Sequence, residues 1–196
     1  MAKDRDAIKA IARQLLNDDI PSSGQAPDIK PDVLDTHVDQ ALTEVSQTCP
    51  YEYRQTVVSD GTSEIDLSSI EGLIGEKVEK VEYPTGNQPP DYIHDFSIFG
   101  NTLRLNIDTV PTSGQNIYLY CHKVHQLTKA TSTLTAELER VLILGTVAYA
   151  ALAWLNQMRA QIVPASRRWY HDWANNHYVI YQKGLQGITP TKAWEF

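Results

Sequence analysis

Hydrophobic and polar positions along the chain follow a helical period, then a strand period, then a helical period again. Apolar residues recur three and four positions apart over about residues 3–17 and 31–47, and again over about 133–161 and 165–186. This spacing is typical of amphipathic helices. Between the two pairs the period changes to two, which is typical of short strands. The pattern predicts an α+β protein in which a β module is inserted between two helix pairs.

The third helical segment is the most apolar part of the chain. Its stretch Val141–Leu155 carries no charge, but it is shorter than the ~20 residues that a helix needs to span a bilayer. The sequence therefore predicts a buried core helix and no membrane association. Because this helix is long and rich in alanine, we expect the other helices to pack closely against it.

The inserted module reads as about five short strands. Gly100-Asn101 separates Phe96–Phe99 from Thr102–Ile107 and indicates a two-residue hairpin loop. In the last strand, Ile117, Leu119 and Cys121 share one face, and the alternation does not tell which face is buried. A flat sheet of this size leaves its edges open, so we expect a small antiparallel β-barrel or sandwich.

These patterns divide the chain into three parts. Residues 1–49 and 128–187 are predicted to form a four-helix platform, with two N-terminal and two C-terminal helices, and residues 50–127 form the β module. Residues 188–196, which follow two glycines and contain a proline, are predicted to form an extended C-terminal tail.

Composition excludes some classes of function. The 196 residues carry a net charge of −7, which argues against a protein that grips nucleic-acid phosphates. The charged residues after Met1 do not form a signal peptide. Cys49 and Cys121 lie in no metal-like spacing, so we expect two reduced thiols.

No motif for catalysis, cofactor binding or metal binding stands out, and we do not predict an enzyme. His122 and His125 are three residues apart, whereas zinc motifs of the HExxH type place two histidines four apart on a helix with a glutamate between them. Positions three apart on a strand point to opposite faces. We therefore expect two surface histidines at a strand end, and a partly buried histidine at His37.

Two groups of aromatic residues are candidates for binding. The exposed tyrosines of the module, with Tyr92 and Phe96, could form a carbohydrate- or receptor-binding face, although aromatic cross-strand pairs also stabilise sheets. On the last helix, a broad aromatic stripe is more than one subunit of this size is expected to bury. We therefore assign a subunit interface to Trp169, Trp173 and Tyr181.

The C-terminal tail carries three apolar residues, Ile188, Trp194 and Phe196. Aromatic side chains in such a segment are typical anchors in partner pockets. The tail could also fold back onto its own helices, and the sequence leaves both possibilities open.

Several strings, in their order, resemble the head–tail connector adaptors of tailed bacteriophages. The strings are Val38–Leu42 with Val45–Gln47 in the second helix, Val78–Pro84 in the module, Tyr118–His122 (or Tyr120 with His125) in the last strand, and Thr131–Leu155 at the entry to the long helix. The similarity runs from about residue 31 to 187. Each string is a common secondary-structure signal, and their order carries the resemblance.

The resemblance implies a structural virion protein, assembled in the bacterial host cytoplasm and located at the head–tail junction. Such adaptors form a ring of about twelve copies under the portal protein and extend the DNA channel. They also provide the attachment surface for the tail or for a further neck protein. DNA would pass through the channel without specific binding, which an acidic chain suits. The resemblance also implies that Ile188, Trp194 and Phe196 contact the portal.

Overall fold

The computed structural model describes residues 3–18, 29–158, 162 and 164–188. The chain folds into two compact units. The helical unit contains the chain up to Cys49 and again from His125, and the β unit contains Pro50–Val124. The predicted α+β class is confirmed, with two N-terminal and two C-terminal helices and antiparallel sheets.

The four predicted helices are all present. They are α1 (Arg5–Asp18), α2 (Pro31–Thr48), α3 (Ala136–Met158) and α4 (Pro164–Gly187). Pro31 is the first residue of α2, where its missing N–H costs nothing. Thr135 caps α3, because its hydroxyl accepts a hydrogen bond from the N–H of Leu138 at 3.3 Å.

Helix α3 is the centre of the helical unit and packs against α1, α2 and α4. Its length and composition would allow it to cross a membrane, contrary to the expectation from Val141–Leu155 alone. However, 72% of its apolar window is buried inside the protein. Burial against three partner helices is what the core helix of a folded domain shows, and it agrees with the predicted role of α3.

The β unit contains two antiparallel sheets. The strands are β1 (Tyr51–Val58), β2 (Glu64–Asp66), β3 (Leu73–Glu82), β4 (Tyr92–Ile93), β5 (Phe96–Phe99), β6 (Thr102–Leu105) and β7 (Asn116–Lys123). One sheet has the order β1-β7-β3-β4 and the other β2-β6-β5. The sheets do not close into a barrel, so that alternative is wrong. Both sheets contribute to one apolar core, as in a sandwich.

Strand β7 shows which face of the larger sheet is buried. Ile117, Leu119 and Cys121 belong to the apolar core, which resolves the alternative that the sequence left open. Tyr118, Tyr120 and His122 lie on the other face, where Tyr118 and His122 are partly exposed and Tyr120 is buried with its hydroxyl donating to Glu82 Oε2 at 2.5 Å. The predicted β5–β6 hairpin is present, and Gly100 at its turn has φ +60°, a conformation that favours glycine.

The second boundary between the units differs from the one expected at residue 128. His125–Leu127 lie with the helical unit. The ring of His125 is hydrogen-bonded to the carbonyl of Cys49 and to Thr133, and Leu127 is buried in the helical core. These contacts hold the segment to the helices even though it directly follows the last strand.

Candidate interaction site

An aromatic groove lies along the outer side of α4. It is an open groove of about 470 Å³, and we call it the α4 groove; its lining residues are Trp169, Asp172, Trp173, Asn176, His177 and Ile180. Trp169 and Trp173 stand one helical turn apart with their rings stacked at 6.3 Å and 12°. The groove therefore presents an ordered aromatic edge next to a half-exposed Ile180.

The three residues assigned to a subunit interface differ in exposure. Trp169 is 37% exposed, Trp173 is 6% exposed and Tyr181 is fully buried. Trp173 packs edge-on against Trp154 of α3, with ring centroids 6.1 Å apart. Tyr181 therefore has no surface to offer a second subunit and Trp173 has very little. The interface hypothesis narrows to Trp169, with Ile180 as a further exposed apolar residue.

Tyr181 is held instead by a carboxylate inside its own chain. Its hydroxyl donates to Glu44 Oε2 at 2.8 Å, and the hydroxyl of Tyr149 donates to the other oxygen of Glu44. Burial, and then the bond to Glu44, raise the pKa of both phenols. One carboxylate on α2 therefore ties α3 and α4 together, and this aromatic cluster stabilises the helical unit.

His125 is buried, so its expected surface position is wrong. Its Nε2 lies 2.9 Å from the carbonyl of Cys49, which can only accept, so this nitrogen carries the proton. Nδ1 then accepts from the hydroxyl of Thr133 at 3.1 Å. Burial lowers the pKa of His125. The ring is a neutral connector between α2 and the segment before α3.

His122 has a separate environment on the outer face of β7. Its Nε2 lies 3.3 Å from Glu79 Oε2, and the side chain is partly exposed. The structure thus does not bring His122 and His125 into one site. Among the described residues, no group of three or more His, Cys, Asp and Glu side chains is arranged to hold a metal ion.

The tyrosines of the β unit are engaged by cations. The guanidinium of Arg54 lies 4.5 Å from the ring centre of Tyr118, and the ammonium of Lys123 lies 4.7 Å from that of Tyr53. Lys80 lies 5.5 Å from the ring centre of Tyr92. A sugar-binding platform needs open ring faces. Each of these rings already has a cation over one face, which favours packing over a carbohydrate site.

Two further ionisable side chains in the helical unit are Glu139, which is buried, and His37, which is partly buried. Glu139 accepts hydrogen bonds from the backbone N–H of Lys3 at 2.6 Å and from its ammonium at 3.1 Å. His37 is partly buried, as expected, beside a small cavity of about 190 Å³ between α2 and α3. Its ring nitrogens are buried with no hydrogen-bond partner among the residues that the structure describes, and burial lowers the pKa of His37.

The tail residues fall into two groups. Ile188 is buried in the core cluster of the helical unit, so it is a packing residue with little surface left for a partner. Trp194 and Phe196 lie outside the described residues. The assignment of the tail to a partner therefore depends on these two aromatics.

Comparison with known proteins finds no matching family model and no similar curated protein.

Proposed function

We propose that this chain is a structural virion protein, a head–tail connector adaptor that forms a ring of about twelve copies under the portal protein. In this role it extends the DNA channel and provides the attachment surface for the tail or the next neck protein. The proposal includes no catalytic activity and no cofactor.

The observation that carries the proposal is the order and grouping of the elements. Helices from the two ends of the chain form one unit, and the entire β unit is inserted between α2 and α3. Hydrogen bonds from Tyr149 and Tyr181 to Glu44 connect α2, α3 and α4 of the helical unit. This arrangement supports a rigid platform with an inserted module, as in the connector adaptors that the sequence resembles.

The surface of α4 supports assembly into a homo-oligomer. Trp169 and Ile180 remain exposed along the α4 groove, and Val179 is exposed nearby. Large apolar side chains grouped on one helix face mark interaction surfaces, and tryptophan is enriched at the centres of interfaces. We assign one of the two surfaces that meet between neighbouring subunits of the ring to this groove.

The net charge of −7 is consistent with a channel that DNA crosses without being held.

The carbohydrate- or receptor-binding alternative has weaker support, because cations cover one face of Tyr53, Tyr92 and Tyr118. No second function is proposed on that face.

The test is to image the purified protein after it is mixed with portal-containing capsids of a virus that encodes it. We expect a ring at the single portal vertex and nowhere else on the capsid. Trp169→Ala should weaken ring formation, because an interface tryptophan is worth about 2 kcal/mol or more when well buried.

Phe99→Ala is the matched control, because Phe99 is 92% exposed and belongs to the β unit, whereas the α4 groove belongs to the helical unit. This variant should form rings like the parent protein. Monomers scattered over the capsid, or no capsid binding at all, would exclude the proposed role.

A further inference from the structure

Among the residues that the structure describes, no strand pairs with the outer edge of β1 in the β unit. The sheet orders place β1, β4, β2 and β5 at the edges. β4, β2 and β5 contain only two, three and four residues, whereas β1 contains eight. β1 also pairs with β7 along its whole length without a bulge. Short strands, prolines, bulges and charged side chains are the usual protection against edge pairing. β1 has no proline or bulge, and its two charges, Glu52 and Arg54, are of opposite sign.

The alternation of hydrogen-bonded and non-hydrogen-bonded residues along β1 shows which backbone groups face this edge. The N–H of Ser59 donates to the carbonyl of Gln115 at 2.8 Å, in the register that pairs β1 with β7. Bonded and non-bonded pairs alternate in an antiparallel ladder. The odd-numbered residues of β1 therefore bond to β7. The backbone groups of Glu52, Arg54, Thr56 and Val58 point away from the sheet.

We infer that the open edge of β1 pairs antiparallel with β1 of a second copy of this chain, with Glu52 of each copy opposite Arg54 of the other. This register allows backbone hydrogen bonds between the two copies, because Glu52 and Arg54 both direct their N–H and C=O groups away from β7. It also places opposite charges on one sheet face as cross-strand neighbours. Shifting the register by two residues in either direction would place Arg54 opposite Arg54, or Glu52 opposite Glu52.

The ends of the paired segment fit the same register. Thr56 would lie opposite Pro50 of the other copy, and proline has no N–H to donate. The carbonyl of Thr56 does not need that donor, because it already accepts a hydrogen bond from Gln55 Nε2 at 3.0 Å. The N–H of Thr56 can still donate to the carbonyl of Pro50. Each outward backbone group from Glu52 to Thr56 then has a partner.

This twofold contact goes beyond the proposed ring. A twofold interface uses the same patch on both subunits, whereas a ring needs two different patches. The β1 contact is therefore independent of the α4 groove. It would join two free copies, or copies from two facing rings. Because few residues of each copy meet, the contact belongs to the small, transient class of interfaces, so covalent trapping is the suitable measurement.

The test uses the full chain with Cys49→Ser as the background. Cys121 needs no change, since it lies in the apolar core and burial raises the pKa of its thiol to about 11. The Tyr53 residues of the two copies would face each other across the twofold axis as a non-hydrogen-bonded pair. Their Cα atoms would be about 4.5 Å apart, which is within disulfide range. Tyr53→Cys should therefore give a disulfide-linked dimer under mild oxidation.

Tyr51→Cys is the matched control on the same face of the same strand. Its two copies would be four residues apart along the paired strands, about 14 Å, and should cross-link at least about tenfold more slowly. Equal rates for the two variants, or a faster rate for Tyr51→Cys, would overturn the inferred register. An edge occupied by a different protein would leave Tyr53→Cys monomeric, with the same consequence.

Charge exchange supplies a second readout. Added to Tyr53→Cys, Arg54→Glu places carboxylates opposite each other and should slow cross-linking at low salt. The further change Glu52→Arg should restore the rate, because the charges again alternate. Failure of that restoration would overturn the pairing of Glu52 with Arg54. Trp169→Ala should leave the cross-linking rate unchanged, so loss of the ring and loss of this contact are distinguishable.

Discussion

Tyr181 of α4 lies against Gly145 of α3 so closely that a Cβ atom on Gly145 would be 2.6 Å from Tyr181 Cε2. The same atom would be 2.8 Å from the Cβ of Ala41 on α2. Three helices therefore meet at a position that only glycine fits. The ring of Tyr181 has no room to move away, because it is fully buried and its hydroxyl is bonded to Glu44.

Gly145→Ala should lower the free energy of unfolding by about 1–3 kcal/mol, the usual cost of overpacking a core. This loss should outweigh the roughly 1 kcal/mol by which alanine is favoured over glycine in a helix. Urea unfolding followed by tryptophan fluorescence is the measurement, since Trp154, Trp169 and Trp173 all belong to the helical unit.

Gly184→Ala in α4 is the control for this prediction. A Cβ there would meet Val141 at 3.5 Å, an ordinary contact. The change should therefore leave stability equal or raise it by up to about 1 kcal/mol. Similar effects of the two substitutions would contradict the close approach at Gly145.

His125→Ala should lower the free energy of unfolding by about 1–3 kcal/mol, because it removes a buried ring and its hydrogen bonds to the carbonyl of Cys49 and to Thr133. The sequence alone predicts no such loss. His122→Ala, at a partly exposed position beside Glu79, should stay within about 0.5 kcal/mol of the parent. Equal losses in both variants would mean that His125 does not connect the helical unit as described.

His125 should also make stability depend on pH. Its folded pKa is lowered from 6.5 by burial, so below about pH 6.5 the unfolded chain binds a proton that the folded protein does not. The contribution of neutral His125 to the free energy of unfolding is therefore complete above pH 6.5 and is lost as the pH falls below that value. His125→Ala should reduce the slope of unfolding free energy between pH 7 and 5. Some slope should remain, because the pKa of His37 is lowered in the same way.

The helices could be predicted from the sequence because their apolar period extends over several turns. β4 could not, since two residues show no period. The surface position predicted for His125 is wrong because strand alternation does not continue beyond Lys123, where β7 ends. The breadth of the aromatic stripe on α4 is visible in the sequence. Periodicity cannot tell that Tyr181 faces Glu44 while Trp169 faces outward, because that choice depends on residues from other helices.

The β unit should be removable if the cut follows the observed boundary. The ends of the helical unit are adjacent, since the N–H of His125 donates to Ser46 Oγ at 3.0 Å and its ring reaches Cys49. Replacing residues 50–124 by a short Gly/Ser linker should leave a helical protein that melts cooperatively.

The comparison for this deletion is the longer replacement of residues 51–127. It also removes His125 and the buried Leu127, and loss of one buried leucine costs about 2 kcal/mol or more. The longer replacement should therefore melt clearly lower. Loss of cooperative melting in the shorter one would show that the helical unit needs the β unit in order to fold.

The tail prediction depends on where the chain is cut. Ile188 is buried in the helical core and its N–H donates to the carbonyl of Leu185 at 3.2 Å, so truncation after Gly187 should lower stability by about 1.5–3 kcal/mol. Truncation after Ile188 keeps that contact and should melt like the parent. If Trp194 and Phe196 anchor the adaptor to the portal, this second truncation should no longer join portal-containing capsids.

The point substitution Trp194→Ala should reproduce the loss of capsid binding, while Thr191→Ala, in the same segment, should not. Trp194 matters in this test because a buried aromatic anchor supplies about 2 kcal/mol or more to an interface, whereas a small polar side chain contributes little. A protein cut after Ile188 that still joins capsids would rule out the tail as the portal anchor. A protein cut there that melts markedly lower would instead show that the tail packs on its own helices.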